Sequence, residues 1–230
     1  MKRGYLVEAL SLLAFLIAAT GVIAVTGADL SVSSPFCREG KWPVGDLPFW
    51  QILYRLDRIP SISLGIIGLA AFLVSFARGS FYRWRRPGIF LVLLLILGPG
   101  LLVNTVLKDH WGRPRPRDII EFGGSKQFLH PWQKTEDGTG RSFPSGHSSA
   151  AFYMAAPYLI YRRTDRRRAY VWLAGGMLFG VVMSIARITQ GAHFLSDTLW
   201  SFGMVALVAL LLAALLDLDG ASEAPPVPKE

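Results

Sequence analysis

Apolar residues are grouped into long stretches that alternate with polar, cation-rich segments. Six such stretches can be marked, at roughly 5–26, 60–77, 88–107, 148–161, 169–186 and 194–217. Several reach the ~20 residues that a helix needs to cross a bilayer. The fourth and fifth are shorter, so we expect their helices to extend into the flanking segments. The pattern predicts an all-α, polytopic membrane protein with six transmembrane helices.

The composition agrees with a membrane protein. Hydrophobic residues make up 52% of the 230 residues, and the mean hydropathy is +0.38. We expect one membrane domain over 1–217 and a proline-rich, disordered tail over 218–230. Cys37 is the only cysteine, which excludes an intramolecular disulfide and a thiolate metal cluster.

The net charge of +8 is spread over both faces of the expected bundle. Basic residues precede the first stretch and fill the segments 78–86 and 162–168, so the positive-inside rule predicts that these segments and both termini are cytoplasmic. The other cations cluster around the motifs described below, on the opposite face. They follow no amphipathic stripe, so we expect a phosphorylated membrane lipid as the partner and no nucleic acid. Protein partners cannot be predicted.

Two segments near the N-terminus have further interpretations. Residues 47–59 mix aromatic, basic and leucine positions, a pattern that predicts an interfacial helix that helps to present a lipid headgroup. The first stretch also resembles a cleavable secretory signal, but its apolar run of about 22 residues is long for a signal. We therefore expect it to be a span.

Three motifs carry most of the chemical information, and each lies at the edge of an apolar stretch. They are KDHWGRPRP at 108–116, FPSGHS at 143–148 and RITQGAHFLSD at 187–197. With cytoplasmic termini, all three lie on the outer face. Together they offer cations, two histidines, a serine and a carboxylate, which can hold a phosphate group and cleave its ester.

The first two motifs supply groups that bind phosphate. Lys108 offers a compact charge, and Arg115 offers a planar fork of donors. Ser145 is a candidate N-cap, and the free backbone amides around Gly146 would form an anion site. His147 then lies in the first helical turn, where it could protonate a leaving oxygen. Taken singly, these motifs also fit a basic juxtamembrane patch and a capped helix.

The third motif supplies a candidate nucleophile. His193 and Asp197 are four residues apart, so they are predicted to share a helix face, where the carboxylate would fix the tautomer of the imidazole. Arg187 adds a third cation. A helix–helix hydrogen bond is the structural alternative for the histidine–aspartate pair. A catalytic metal is not expected, because chelating histidine spacing is absent and the cations would repel a divalent ion.

These motifs resemble the type 2 phosphatidic acid phosphatase (PAP2) superfamily, whose pattern is Lys-x6-Arg-Pro, Pro-Ser-Gly-His and Ser-Arg-x5-His-x3-Asp. The resemblance implies a six-helix membrane fold and cofactor-free phosphoryl transfer through a phosphohistidine. It implies that His193 is the nucleophile, that Asp197 orients and activates it, and that His147 protonates the leaving alcohol. The implied phosphate-binding residues are Lys108, Arg115, Ser145, Gly146 and Arg187. Ala186 departs from the usual serine, so a hydroxyl contact is missing unless Ser184 or another group replaces it.

Within the superfamily, residues 97–199 look most like the bacterial lipid A 4′-phosphatases. The resemblance implies a phosphatase of the bacterial inner membrane that acts on a phosphate monoester of lipid A from the periplasmic face. The alternatives are a phosphatidylglycerophosphate, phosphatidate or undecaprenyl pyrophosphate phosphatase, a lipid phosphotransferase, and a non-enzymatic protein that binds anionic lipid. The loop 117–142 is a hypothetical place for headgroup selection, through Phe122, Phe128, Trp132, Lys126 and Lys134.

Overall fold

The computed structural model describes residues 3–135 and 138–220, and the described residues fold almost entirely as helices. The α-helices are α1 Arg3–Thr26, α2 Ala28–Ser33, α3 Pro48–Leu56, α4 Arg58–Ala77, α5 Arg85–Leu95, α6 Gly146–Tyr153, α7 Pro157–Tyr161, α8 Arg166–Thr189 and α9 Leu195–Leu215. Within these ranges the only β-type pairings are isolated bridges. The predicted all-α class is confirmed.

Five helical segments of the described chain are long and apolar enough to cross a membrane. They are Arg3–Thr26, Pro48–Ala77, Gly79–Leu107, Arg166–Thr189 and Leu195–Leu215. The stretch predicted at 148–161 forms two short helices instead, α6 and α7. The second of these begins at Pro157, which has no N–H to continue the preceding helix. The predicted count of six spans is therefore not confirmed.

The helix predicted at 47–59 forms as α3, and α4 begins after a single intervening residue, Asp57. Trp50 and Leu53 of α3 pack against a small cluster formed by Ala151, Met183 and Ala186. These contacts join α3 to α6 and α8. The helix therefore lies beside the second and third sequence motifs.

The segment that leads to the first motif changes its helical geometry. After α5, residues Ile96–Leu107 continue as a wider π-helix in which the backbone N–H of Lys108 reaches the Val103 carbonyl, five residues back. Pro99 lies inside this segment, and the Asn104 side-chain amide donates to its carbonyl at 2.6 Å. Such wide turns are common at functional sites. Here the π-helix sets where Lys108 leaves the bundle.

Two further apolar clusters stabilise the described part of the molecule. The larger lies along the bundle and joins α1, α4, α5, α6, α7 and α9; its fully buried side chains include Tyr5, Phe90, Leu94 and Tyr153. The smaller lies at the end that carries the motifs and contains Trp42, Ile119, Phe122 and Phe194. Through these contacts, the segments that contain Trp42, Ile119 and Phe122 pack against Phe194 at the start of α9.

At the opposite end of the bundle, a nearly buried Arg162 joins three parts of the chain. Its guanidinium donates to Glu8 of α1 and to Asp219 of the turn that follows α9. The sequence predicts disorder from residue 218 onward, whereas Leu218–Gly220 form a turn because Leu218 is buried and Asp219 binds Arg162. The rest of the expected tail, 221–230, lies outside the described residues.

Helices α4 and α5 approach closely at a pair of glycines, Gly68 and Gly88. A Cβ on Gly88 would lie 2.6 Å from the Gly68 carbonyl oxygen and 2.7 Å from the backbone nitrogen of Phe72. Both atoms belong to the backbone, so neither can move aside as a flexible side chain would. The two helices would have to separate to admit even a methyl group.

We predict that Gly88→Ala destabilises the protein by about 1–3 kcal/mol, the usual effect of overpacking. Gly175→Ala is the matched control, because a Cβ on this α8 glycine meets nothing within 4 Å. Thermal unfolding in detergent measures both. Equal midpoints for the two variants would contradict the close contact between α4 and α5.

Candidate active site

The basic and imidazole groups of the three motifs lie close enough to alter one another's protonation. The pKa of Lys108 is lowered to about 8, first by burial and then by the charges of Arg115 and Arg187. Burial also lowers the pKa of His147, and Arg187, His193 and Lys108 lower it further. Each motif therefore contributes to one site. The expected meeting of the motifs at one end of the bundle is observed.

His193 is fully buried, and only one of its two ring nitrogens has a hydrogen-bond partner within the described residues. Its Nδ1 lies 2.6 Å from the backbone carbonyl oxygen of Ser142. A carbonyl only accepts, so Nδ1 carries the proton and Nε2 keeps its lone pair. Nε2 is buried without a hydrogen-bond partner in the described residues. The pKa of His193 is lowered to about 4, mainly by burial, so the ring is neutral near pH 7.

Asp197 contacts His193 differently from the sequence prediction. The helix α9 begins only at Leu195, because the Asp197 carboxylate accepts the backbone N–H of Phe194 and caps the helix there. His193 therefore precedes the helix and does not share a helix face with Asp197. The Asp197 carboxylate lies 3.8 Å from His193 Nδ1 and accepts the hydroxyl of Ser142 at 2.5 Å. It is connected to the imidazole through Ser142.

Arg113 is the largest fully buried side chain among the described residues, and all three of its nitrogens are bonded. Nε donates to the carbonyl of Leu129, Nη1 to Ser196 and Asp197, and Nη2 to Asp29. One guanidinium therefore joins α2, the loop after the first motif and α9. Arg113 is committed to these partners and is not available to bind a ligand.

His147 lies in the first turn of α6 and faces α3. Its Nε2 is 3.7 Å from the carboxylate of Asp57, and its ring lies 4.7 Å from the ring of Tyr54. The guanidinium of Arg187 lies 4.7 Å from the centre of the same Tyr54 ring. Tyr54 therefore contacts one residue from the second motif and one from the third.

The second motif forms the predicted helix entrance. Ser145 is the N-cap of α6: its hydroxyl accepts the backbone N–H of Ser148, and its own N–H donates to Ser201 of α9. The next residue, Gly146, packs against the side chain of Asn104. The side-chain oxygen of Asn104 would lie 2.2 Å from a Cβ at position 146. Only glycine lets the helix N-terminus approach the π-helix so closely.

Several buried polar atoms at the site have no hydrogen-bond partner within the described ranges. They are Nε of Arg115, Nδ1 of His147, Nε of Arg187, Nε2 of Gln190 and Nε2 of His193. Buried polar groups are normally satisfied, and each one left unpaired costs about 1–3 kcal/mol. Most of these atoms are donors. The arrangement suits an anion that carries several acceptor oxygens.

Within residues 3–135 and 138–220, no three histidine, cysteine or acidic side chains form a group that could hold a metal ion. The expectation of a metal-free reaction stays a prediction.

The family model for the PAP2 superfamily matches residues 88–219, which is more than half of the chain and contains all three motifs.

The chain belongs to the PAP2 superfamily. Curated relatives include proteins named lipid A 4′-phosphatase, from Francisella tularensis subsp. novicida and from Rhizobium leguminosarum. They are 34% and 35% identical over 51% of this chain and 53% and 50% of their own. The chain thus spans about half the length of these relatives. A phosphatidylglycerophosphatase B from Bacillus subtilis is 28% identical over 70% of this chain and 77% of its own.

The fold is also similar to a solved PAP2 structure. A crystal structure of a transmembrane PAP2-type phosphatidylglycerolphosphate phosphatase from Bacillus subtilis has a TM-score of 0.50 and 23% identity, and the match covers 90% of this chain and 94% of that one. The likeness concerns the fold alone. The family membership and the five apolar helices of the described residues together indicate a multi-pass membrane protein.

At the departure from the PAP2 pattern before Arg187, Ser184 does not replace the usual hydroxyl. Ala186 is fully buried and packs with Ala151 and Met183. Ser184, considered above as a substitute, donates its hydroxyl to the Gly180 carbonyl at 2.7 Å within α8. Gln190 instead contacts the cation, since its side-chain oxygen accepts from Arg187.

The loop proposed for headgroup selection has mostly structural contacts in this PAP2 chain. Phe122 is buried against Trp42, and Phe128 packs on Phe194. Lys126 donates to Thr139 at 2.7 Å. Trp132 differs, because it is 57% exposed and stacks on His130. Of the aromatic residues suggested for the loop, only Trp132 presents a largely open ring.

Sequence reasoning did not single out five residues of the site: Asp29, Asp57, Arg113, Ser142 and Gln190. The first motif indicates a basic patch that includes Arg113, whereas in the structure two carboxylates, Asp29 and Asp197, neutralise this arginine. The available signal for Asp29 was an aspartate just after the first apolar stretch, because a carboxylate at a membrane boundary needs a partner. No sequence pattern indicated that the backbone carbonyl of Ser142 would accept from His193.

We predict that Arg113→Met destabilises the protein by about 3–5 kcal/mol, because it leaves Asp29 and Asp197 buried without their cation. Arg117→Met is the control, since the Arg117 side chain is exposed. Thermal or denaturant unfolding in detergent measures the difference. A loss no larger than that of the control would show that Arg113 does not hold the site together.

Proposed function

We propose that this chain is an integral membrane lipid phosphatase that hydrolyses a phosphate monoester of lipid A, at the 4′ position, through a phosphohistidine. The observation that carries the proposal is the state of His193: its proton is held on Nδ1 and its buried Nε2 is free. A neutral imidazole with a fixed tautomer is a competent nucleophile. The cations around it suit a phosphate dianion.

In the proposed first step, the lone pair of His193 Nε2 attacks phosphorus, and the bond between phosphorus and the lipid oxygen breaks. The leaving oxygen takes a proton from His147. In the second step His147, now neutral, takes a proton from water as the water oxygen attacks phosphorus. The phosphorus–nitrogen bond then breaks, and inorganic phosphate leaves.

The proposed roles of the other groups follow from their charge and position. Lys108, Arg115 and Arg187 bind the phosphoryl oxygens and stabilise the charge that spreads over them in the transition state. Ser145 and the Gly146 amide add contacts at the N-terminus of α6. Asp197 orients His193 through Ser142, and a carboxylate there stabilises the ring once it becomes cationic.

The choice of lipid A follows from relatives that carry this name and match the motif region. Phosphatidylglycerophosphate is the second candidate, because the phosphatidylglycerophosphatase B match extends over more of both chains. We further propose the bacterial inner membrane, with cytoplasmic termini and a periplasmic site. The clustering of Arg86, Arg162 and Arg163 at the end opposite the motifs supports this orientation.

We predict that the purified protein removes the 4′-phosphate from bis-phosphorylated lipid A in EDTA, and that His193→Ala abolishes turnover. His110→Ala is the matched control, since His110 is an exposed histidine near the first motif. Mass spectrometry with fragmentation locates the lost phosphate. An equal dose of phosphatidylglycerophosphate runs beside it, and cleavage of that lipid alone would overturn the lipid A proposal.

We predict that kcat/KM falls above about pH 8 and that Lys108→Arg removes this fall. The pKa of Lys108 in the free protein is about 8, so above that pH the site loses a cation. Arginine stays charged throughout, and a phosphate monoester is already a dianion above about pH 6. The test is a pH profile from 7 to 10.

The control for this profile is Lys41→Arg, because Lys41 is an exposed lysine outside the site. It should keep the alkaline fall of the unaltered protein. A fall that persists unchanged in Lys108→Arg would mean that another group limits the reaction at high pH.

A further inference from the structure

The buried carboxylate of Asp57 is not part of any PAP2 motif quoted above. It lies between α3 and α4, outside the region that the family model matches, and is 3% exposed. A carboxylate is costly to bury inside a membrane, so it normally pairs with another group and often belongs to a functional site. Within the described part of the chain, His147 is the basic side chain within 4 Å of Asp57.

The geometry distinguishes the two nitrogens of His147. Nε2 faces the Asp57 carboxylate at 3.7 Å, and the oxygen it faces has no hydrogen-bond partner in the described residues. This separation is longer than a hydrogen bond, as is common for catalytic pairs before substrate binds. Nδ1, on the other side of the ring, is buried and also unpartnered. The structure thus leaves Nδ1 free for a ligand.

The ring of His147 is held from a second direction by α3. Tyr54 lies one helical turn before Asp57, so both side chains share one face of the chain through α3. The Tyr54 and His147 ring centres are 4.7 Å apart with an interplanar angle of 31°. A ring packed against Tyr54 and facing Asp57 has little freedom to rotate.

We propose that Asp57 is a positioning residue that holds His147 with its proton-donating Nδ1 turned toward the lipid oxygen. The proposal rests on the function proposed above. A carboxylate beside Nε2 keeps a proton on that nitrogen and favours the imidazolium when substrate binds. His147 then donates the Nδ1 proton as the phosphorus–oxygen bond breaks, and Asp57 itself neither gains nor loses a proton.

The test compares two lipid-like monoesters that differ in the leaving oxygen: dodecyl phosphate and 4-dodecylphenyl phosphate. An alkanol is about as weak an acid as water, with a pKa near 15.7, and needs a proton as it leaves. A phenol, with a pKa of about 10, needs one far less. A defect in the proton donor therefore slows the alkyl ester selectively.

We predict that Asp57→Asn lowers kcat for the alkyl ester on the order of 10- to 100-fold and changes kcat for the aryl ester less than about 3-fold. His147→Ala shows the same selectivity, and adding Asp57→Asn to it lowers kcat little further. Asp46→Asn, an exposed carboxylate on the same outer segment, is the matched control. Retained aryl turnover shows that the variant is folded.

Asp57→Glu is the second variant, for use if the asparagine does not fold. It keeps the carboxylate and should recover part of the alkyl-ester rate relative to His147→Ala. Equal losses on both esters, or a full multiplicative loss in the His147→Ala background, would overturn the positioning role. Failure of the proposed function looks different: turnover of either ester would then survive His193→Ala.

Discussion

The site depends on the burial of one guanidinium, that of Arg113. Burying a charge costs several kcal/mol, and the cost is offset only when each donor finds a well-placed acceptor. Arg113 meets this condition with two carboxylates, a hydroxyl and a carbonyl. These acceptors come from parts of the chain as distant as Asp29 and Asp197. Folding around Arg113 therefore fixes the start of α9, and with it the turn that carries His193.

A second constraint is the repulsion among the cations that are not neutralised. Lys108, Arg115 and Arg187 are partly or wholly withdrawn from water, and after burial the charges of Arg115 and Arg187 lower the pKa of Lys108. Unlike Arg113, none of them forms a side-chain salt bridge with a carboxylate within the described residues. The buried carboxylates Asp29 and Asp197 pair with Arg113 and not with this second group of cations. In the proposed function, a phosphate dianion supplies the missing negative charge and the missing acceptors together.

The sequence was sufficient for the helical class, the position of most spans and the end of the bundle where the motifs meet. These features depend on hydropathy and local spacing, which are readable along the chain. The division of 148–161 into two helices was not predicted, because hydropathy does not register how Pro157 interrupts a short helix. The contacts of His193 were misassigned, because an i to i+4 spacing implies a shared face only inside a helix. Asp197 starts the helix after His193, and that depends on a capping contact.

In the proposed mechanism, the two histidines have different roles because their surroundings differ. His193 donates from Nδ1 to the Ser142 carbonyl, which fixes its tautomer and leaves a lone pair on Nε2, while Asp197 lies 3.8 Å from Nδ1. His147 faces a carboxylate, which favours the charged ring once an anion offsets the neighbouring cations. A nucleophile needs the first situation and a proton donor needs the second. In the proposed mechanism, the PAP2 motifs supply the two rings, Ser142 fixes the tautomer of the nucleophile and Asp57 positions the proton donor.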